Sequence, residues 1–329
     1  MTNLLRPASS LFVQLRSGPP PAEVYRRTIG VAVEAERLGF GSIWFATRHF
    51  GANHAALPAI FPFLGAVSQQ TSRIRLGTGV VALPFDNPVR LAEDAVVTDQ
   101  LASGRLELGV GKGLGFGLSA TSYSGFTLDS RDRETLYAER LAELHEILAT
   151  GRVSEEVQLY PQPGSLRSRV WQSTGNIGTA LQVASAGDGL IPHGNSEASG
   201  ACGLGELIQA YRESFTGAGT PRIGSTVSLL PADSRSDALA LIETDMALSP
   251  EYYVDHLGGS DVLPYLDKRG IEFGTSAALA GQLRETPSTA MATELLFHIP
   301  LAIEHPRYLE CLQRIATDIA PVVDPLLVR

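Results

Sequence analysis

The chain has 329 residues, 44% apolar and 19% charged, with a formal net charge of −9. That is enough apolar material for a large core, and an acidic balance without any basic run argues against nucleic acid as a partner. Two cysteines far apart, Cys202 and Cys311, speak against a disulfide framework or a zinc knuckle, and no apolar run approaches the roughly 18 residues of a membrane span. The opening MTNLLRPASSLFVQL lacks the charged start and long apolar stretch of a secretion signal, so a cytoplasmic protein is expected.

In chain order, a first strand is predicted near Ser10 (SLFVQL). The helix PAEVYRRTIGVAVEAERLGF follows, with Val24, Val31, Ala35 and Leu38 on one stripe and Gly39 as its stop. Strands are predicted from Ser42 (SIWFAT), Arg73 (RIRLGTGV) and Arg105 (RLELGVG). Before the last of these lies the helix NPVRLAEDAVVTDQLASG, whose stripe is Leu91, Ala95, Thr98 and Leu101 and whose stop is Gly104. Later strands read as RVWQST (169–174), GLIPHG (189–194), RIGSTVSLL (222–230) and ATELLFHIP (292–300). Helices are predicted near 130–149, 178–187, 202–216, 276–284 and 304–319. Residues 113–129 and 232–275 carry no clear pattern and read as long loops, of the kind used as lids or binding segments.

Eight strands alternating with helices, about 30 residues apart, indicate an α/β fold. We expect one domain over residues 1–329, a (β/α)8 TIM barrel with extended loops after its fourth and seventh strands. An open doubly wound sheet competes, because GTGVVA at 77–82 matches the weak dinucleotide fingerprint. Pro84 and Pro88 follow it, where a helix would have to begin, so that reading fails.

In a barrel, chemistry gathers where strands end. LELGVGKGLGFG, residues 106–117, places glycine at every second position from Gly109 to Gly117 around Lys112. With Gly77 and Gly79 on the neighbouring strand, these bare edges read as a flat slot for a planar ring, or else as tight barrel corners. Lys112 reads as an anion clamp or as a solvated loop lysine. Strict alternation sends it toward the helices with Leu106, Leu108 and Val110, unless a bulge re-aims it. In STGNIGTA a strand ends, a Gly175–Asn176 turn follows and a helix starts; its free N–H groups, with Ser173, Thr174, Asn176 and Thr179, suit an anion. Together with Lys112 this favours a phosphate-bearing cofactor. His49, His193 and His298 fall at strand ends, as proton carriers or as hydrogen-bonded structural residues. No metal site is expected, since the first strand has no H-x-H and His49 and His54 are five apart.

Over roughly 10–320 the chain resembles the bacterial luciferase-like flavin monooxygenases, whose relatives include deazaflavin-dependent enzymes. The likeness is carried by AERLGFGSIWFATRHF, RIRLGTGVVALPFDNPVRLAEDAVVTDQLASGRLELGVGKG, DSRDRETLYAERLAELHEIL and GTALQVASAGDGL. The resemblance implies a barrel, usually a homodimer, that holds FMN or a deazaflavin at the strand C-termini. Reduced FMN is often supplied by a separate NAD(P)H-dependent reductase. It implies Lys112 on the flavin phosphate, where the luciferases have Arg, together with Gly175, Asn176 and Thr179. It further implies a non-prolyl cis peptide at Gly79–Val80, with Thr78, Gly79, Val80 and Gly111 against the cofactor. Two departures stand out. In ATRHF, Arg48 occupies the place of the luciferase catalytic histidine, while His49 matches the second histidine; Gly111 replaces the reactive cysteine. Light emission is therefore not expected. The expectation is a monooxygenase using reduced FMN and O2 on a small organic substrate, with His49 and His193 as proton donors or substrate positioners. Arg48 would clamp an anionic substrate or oxygenated flavin, or pair with a loop carboxylate. The loop between the last two strands would close as a lid. Deazaflavin-dependent hydride transfer and non-catalytic flavin binding are the alternatives.

Overall fold

A computed structural model describes residues 8–16, 19–50, 57–113, 118–193, 203–250, 252–253 and 262–323. Its strands are β1 (Ala8–Val13), β2 (Ser42–Phe45), β3 (Arg75–Thr78), β4 (Val81–Ala82), β5 (Leu106–Gly111), β6 (Val170–Thr174), β7 (Gly189–Pro192), β8 (Gly224–Pro231), β9 (Ile271–Gly274) and β10 (Glu294–His298). All pair in parallel, in the order β7-β6-β5-β3-β2-β1-β10-β8-β9, with β4 on β5. A parallel bridge between Leu190 and Ile223, with Leu190 N–H on Arg222 O at 2.8 Å, joins β7 to β8 and closes the ring. The eight predicted strands are the eight staves. β4 and β9 are additions: β4 resumes strand 3 beyond the expected cis Gly79–Val80 bond, and β9 lines the end of β8 from Ser228 to Pro231.

The staves form where apolar runs are buried on both faces, as a parallel sheet between a helix layer and a filled bore requires. Leu106, Leu108 and Val110 belong to the large cluster under the helices. Trp44, Trp171, Ile191 and Leu296 form a separate cluster inside the ring, capped by the partly buried Phe12 and Val80.

The helix Pro21–Arg37 buries Val24, Val31 and Ala35 as predicted and stops at Gly39, whose φ is 90°. The helix Pro88–Leu101 is capped by the Asn87 side chain, which accepts from Arg90 N–H at 3.1 Å. Its stripe departs from expectation: Leu101 is 50% exposed and Ala102 is buried instead. The reason is helical phase. At about 100° per residue, the eleventh residue after Leu91 returns to the buried face and the tenth does not.

Two expected loops are structured. Residues 232–275 contain the helix Arg235–Leu248, capped by Ser234, the helix Val262–Lys268 and β9. The first was invisible as a stripe because it buries only Ala238, Ile242 and Asp245, one of them a carboxylate. Residues 113–129 contain the helix Leu118–Gly125. A helix at Ile60–Ser68 also went unread; its apolar residues leave little contrast between faces. No helix among the described residues is long and apolar enough to cross a membrane.

Candidate active site

The bore is filled from the bottom. Arg75 donates to Glu107 at 2.9 Å and to Glu294 at 3.2 Å. Ser10 Oγ donates to Glu294 at 2.6 Å, Trp44 Nε1 to Ser42 Oγ at 2.6 Å, and Trp171 Nε1 to Glu107 at 2.6 Å. Above this polar layer the two indoles meet edge-on, 5.4 Å between centroids. Phe12 and Val80 cover them and form an apolar floor to the mouth.

This filling presses directly on the strand glycines. A Cβ on Gly77 would lie 2.1 Å from the Trp44 ring, one on Gly79 2.8 Å from Phe12, one on Gly109 2.1 Å from the Thr78 carbonyl and one on Gly111 2.8 Å from Val80. The strand glycines make room for neighbouring protein, the closeness expected of tight barrel corners. Thr78, expected against the cofactor, is fully buried; its hydroxyl donates to Gly109 O at 2.7 Å and accepts from Gly109 N–H at 2.8 Å, so its side chain is not offered to a ligand. Gly115 and Gly117 lie outside the described residues, as does His54.

On one side of the mouth, β5, β6 and β7 bring Lys112, Ser173, Gly175, Asn176 and His193 together. Lys112 follows the last residue of β5 and pairs with Glu134 at 2.7 Å. It still sits at the rim: burial lowers the His193 pKa, and the charge of Lys112 lowers it further. His193 Nδ1 meets Ser173 Oγ at 3.0 Å. Gly175 needs its missing side chain here, because a Cβ would lie 2.6 Å from His193 O and 3.4 Å from Nε2. Asn176 caps the helix Ile177–Ala186 by accepting from Thr179 N–H at 3.0 Å. That bond occupies Thr179 N–H; the N–H groups of Ile177 and Gly178 are the other donors of the first turn, which has no intrahelical acceptor for them.

On the other side, β1, β2, β8 and β10 bring up Phe12, Arg16, Arg48, Ser228 and His298. The Thr47 hydroxyl donates to Val80 O at 2.6 Å, tying the end of β2 to the cis bend. Arg16 forms a buried ion pair with Asp245, donates to Pro300 O at 2.9 Å and lies 3.8 Å over the Tyr252 ring. Asp245 also accepts from Tyr253 OH at 2.6 Å and from Ala302 N–H at 2.8 Å. Residues 252–253 are thus pinned to the barrel end. His298 Nδ1 meets Ser228 Oγ at 3.1 Å and its ring stands edge-on to Phe12 at 5.8 Å. Burial first, then the charges of Arg16 and Arg269, push the His298 pKa down to about 3.

His49 stands apart from both sets. Its ring packs among Phe126, Phe85 and Phe50, at 5.1, 5.6 and 6.1 Å between centroids, and burial lowers its pKa. Sequence reasoning missed Glu134, Arg16, Asp245, Tyr252 and Arg269, all partners that arrive from distant segments. Among the described residues no cluster of three or more His, Cys, Asp or Glu could hold a metal ion.

The model of the luciferase-like monooxygenases matches residues 8–286. A 4-hydroxyprotoasukamycin monooxygenase of Streptomyces nodosus subsp. asukaensis is 33% identical over 158 residues, 46% of this chain and 41% of that one. The chain thus matches less than half the length of that relative. A monooxygenase from Streptomyces bottropensis superposes with a TM-score of 0.77 over 95% of this chain and 99% of that one, at 18% identity. The oxygenating constituent of 3,6-diketocamphane monooxygenase from Pseudomonas putida, in complex with FMN, gives 0.70 over 96% and 98%, at 16% identity. At such identities the structures speak for the fold. With the family model covering most of the residues and the same barrel beneath it, the chain belongs to the luciferase-like monooxygenase family of enzymes.

Proposed function

We propose that this chain is the oxygenase of a two-component flavin monooxygenase, taking reduced FMN from a separate NAD(P)H-dependent reductase and using O2 to oxidise a small organic molecule. The observation that carries the reading is the set at the β5–β7 rim: an ammonium, a hydroxyl, an imidazole and a helix start capped by Asn176, with an apolar floor inside the ring. These residues fit a phosphorylated flavin. Lys112 would exchange Glu134 for the phosphate, and the Ile177 and Gly178 N–H groups would donate to it. Asn176 holds that turn open. His193, with Nε2 beside Gly175, belongs to the phosphate end and not to the substrate side. Phe12 and Val80 offer the ring an apolar floor and keep water from below. When bound, reduced flavin supplies the electrons and the reaction with oxygen. His193 and His298, held below their ordinary pKa by burial, are neutral near pH 7, so each holds a single ring proton. The reading includes a homodimer.

Anaerobic titration with reduced FMN, followed by oxygen uptake, tests the proposal. FMN is expected to bind, and Lys112→Gln to weaken it at least tenfold, since a charge-assisted bond is lost. Binding of the deazaflavin F420 with none of FMN would replace the reading by hydride transfer. FMN binding with no product from any substrate would leave an accessory binder.

A further inference from the structure

We propose that His298 is a substrate-binding residue, whose Nε2–H at the top of the bore donates a hydrogen bond to the carbonyl oxygen of a neutral, largely apolar substrate. The proposal rests on the flavin reading for its place in a reaction, and its test is independent of that reading. The position follows from strand register. Alternate residues of a strand face the same side, and on β10 these are Glu294, Leu296 and His298. Glu294 belongs to the polar layer at the bottom of the bore, and Leu296 to the indole layer above it. His298 is the next step up. Its exposure agrees: Glu294 and Leu296 are 3% and 1% exposed, whereas His298 still reaches solvent in part. Its register partners are Phe12 on β1 and Ser228 on β8, and both meet the ring.

Two contacts decide how the ring acts. Ser228 Oγ lies 3.1 Å from Nδ1, and the Phe12 ring stands edge-on at 5.8 Å between centroids. The imidazole is thus held along one edge and walled on one side. When the serine hydroxyl donates to Nδ1, the single proton of the neutral ring sits on Nε2, on the edge turned away from Ser228. Burial first, then the charges of Arg16 and Arg269, keep a second proton off the ring. The same positive charges favour an electron-rich oxygen at Nε2 and disfavour a cation there. A neutral N–H beside the apolar faces of Phe12 and Val80 matches a carbonyl group on a hydrocarbon body. A hydrocarbon of the same shape would leave that donor unpaired, which is what makes the site selective. The other serine–histidine pair, Ser173 and His193, lies on the β6–β7 side with Lys112, so the two pairs serve different ends of the mouth.

Calorimetric titration of the full chain with acetophenone and with its hydrocarbon isostere α-methylstyrene tests the proposal, with and without saturating FMN. Acetophenone is expected to bind about fivefold more tightly, the worth of one hydrogen bond to an otherwise unpaired donor. His298→Leu should erase that ratio, and His298→Gln, which keeps an amide N–H on a side chain of similar reach, should retain part of it. Nitrogen NMR spectra of the histidine rings supply a second readout, the His298 signals being those lost in His298→Leu. They should show a proton on Nε2 and none on Nδ1, and should shift when acetophenone is added. Ser228→Ala should mix the two tautomers and lower the ratio. A proton on Nδ1, equal affinity of the two probes, no acetophenone binding at millimolar concentration, or a preference that survives in His298→Leu would overturn the proposal. Should FMN fail to bind, the flavin reading falls while the ketone preference and its dependence on His298 are still read. Should His298→Leu fail to fold, the tautomer mixing and reduced ratio expected of Ser228→Ala decide.

Discussion

At the bottom of the bore Glu107 and Glu294 share Arg75, two serine hydroxyls and the Trp171 indole N–H. At the mouth Lys112 leans on a half-exposed Glu134, and two histidines, their pKa values lowered by burial, each meet a single serine. Both ends are polar, yet only the bottom is closed on itself. A buried polar group with every partner in place stabilises one geometry and has nothing left to offer. A group held out of water with a weak or missing partner is destabilised, and a ligand can supply what is lacking.

The sharpest way to break this comparison is to open the bottom. Glu107→Ala strands Arg75 and the Trp171 N–H, and we expect a loss of about 2–3 kcal/mol in urea unfolding. That lies below the usual cost of breaking a fully buried pair, because Arg75 stays a third exposed. FMN affinity should stay within about twofold, since the layer does not reach the mouth. A loss much smaller than that, or a large drop in affinity, would mean that the two ends are not separate.

The next effect is a pH slope from the mouth. The His298 pKa is pushed from an unfolded value near 6.5 to about 3 in the folded chain, so the unfolded state binds the proton first. Acid therefore removes stability as pH falls below about 6.5, and the loss is complete only near pH 3. Between pH 7.5 and 5 we expect about 2 kcal/mol of this loss to disappear in His298→Asn, read from unfolding curves at the two pH values. Parallel slopes for both proteins would show that His298 is not held neutral.

The smallest effect concerns the loosest pair. Glu134 is 57% exposed, so it holds Lys112 weakly and competes with a phosphate for it. Glu134→Gln should tighten FMN binding by about threefold in a fluorescence titration. Weaker binding would instead make Glu134 a support that positions Lys112.

Much of the barrel was legible because each stave is a local pattern: SIWF, LELGVG and ELLFH read as strands without reference to one another. The Gly175–Asn176 turn was legible for the same reason, as a cap and helix start lie within a few residues. The helix Arg235–Leu248 was not, since its buried face includes Asp245, whose ion-pair partner is Arg16 at the other end of the chain. The glycines were only half legible. Their spacing was visible, but what presses on each one depended on where Trp44, Phe12 and the Thr78 carbonyl come to lie.

Taken alone, the residue order determined the number of staves, the parallel alternation, the capped helix start after Gly175 and the family, because these depend on periodicity and on short contiguous motifs. Tertiary structure decided which charges are paired deep inside and which at the rim. Lys112 and Arg16 look alike in a string of letters, and only the closing of the ring gives one a half-exposed carboxylate at 2.7 Å and the other a fully buried one. Electrostatic energy depends on distance and burial, and both are set by segments that meet only when the chain has folded.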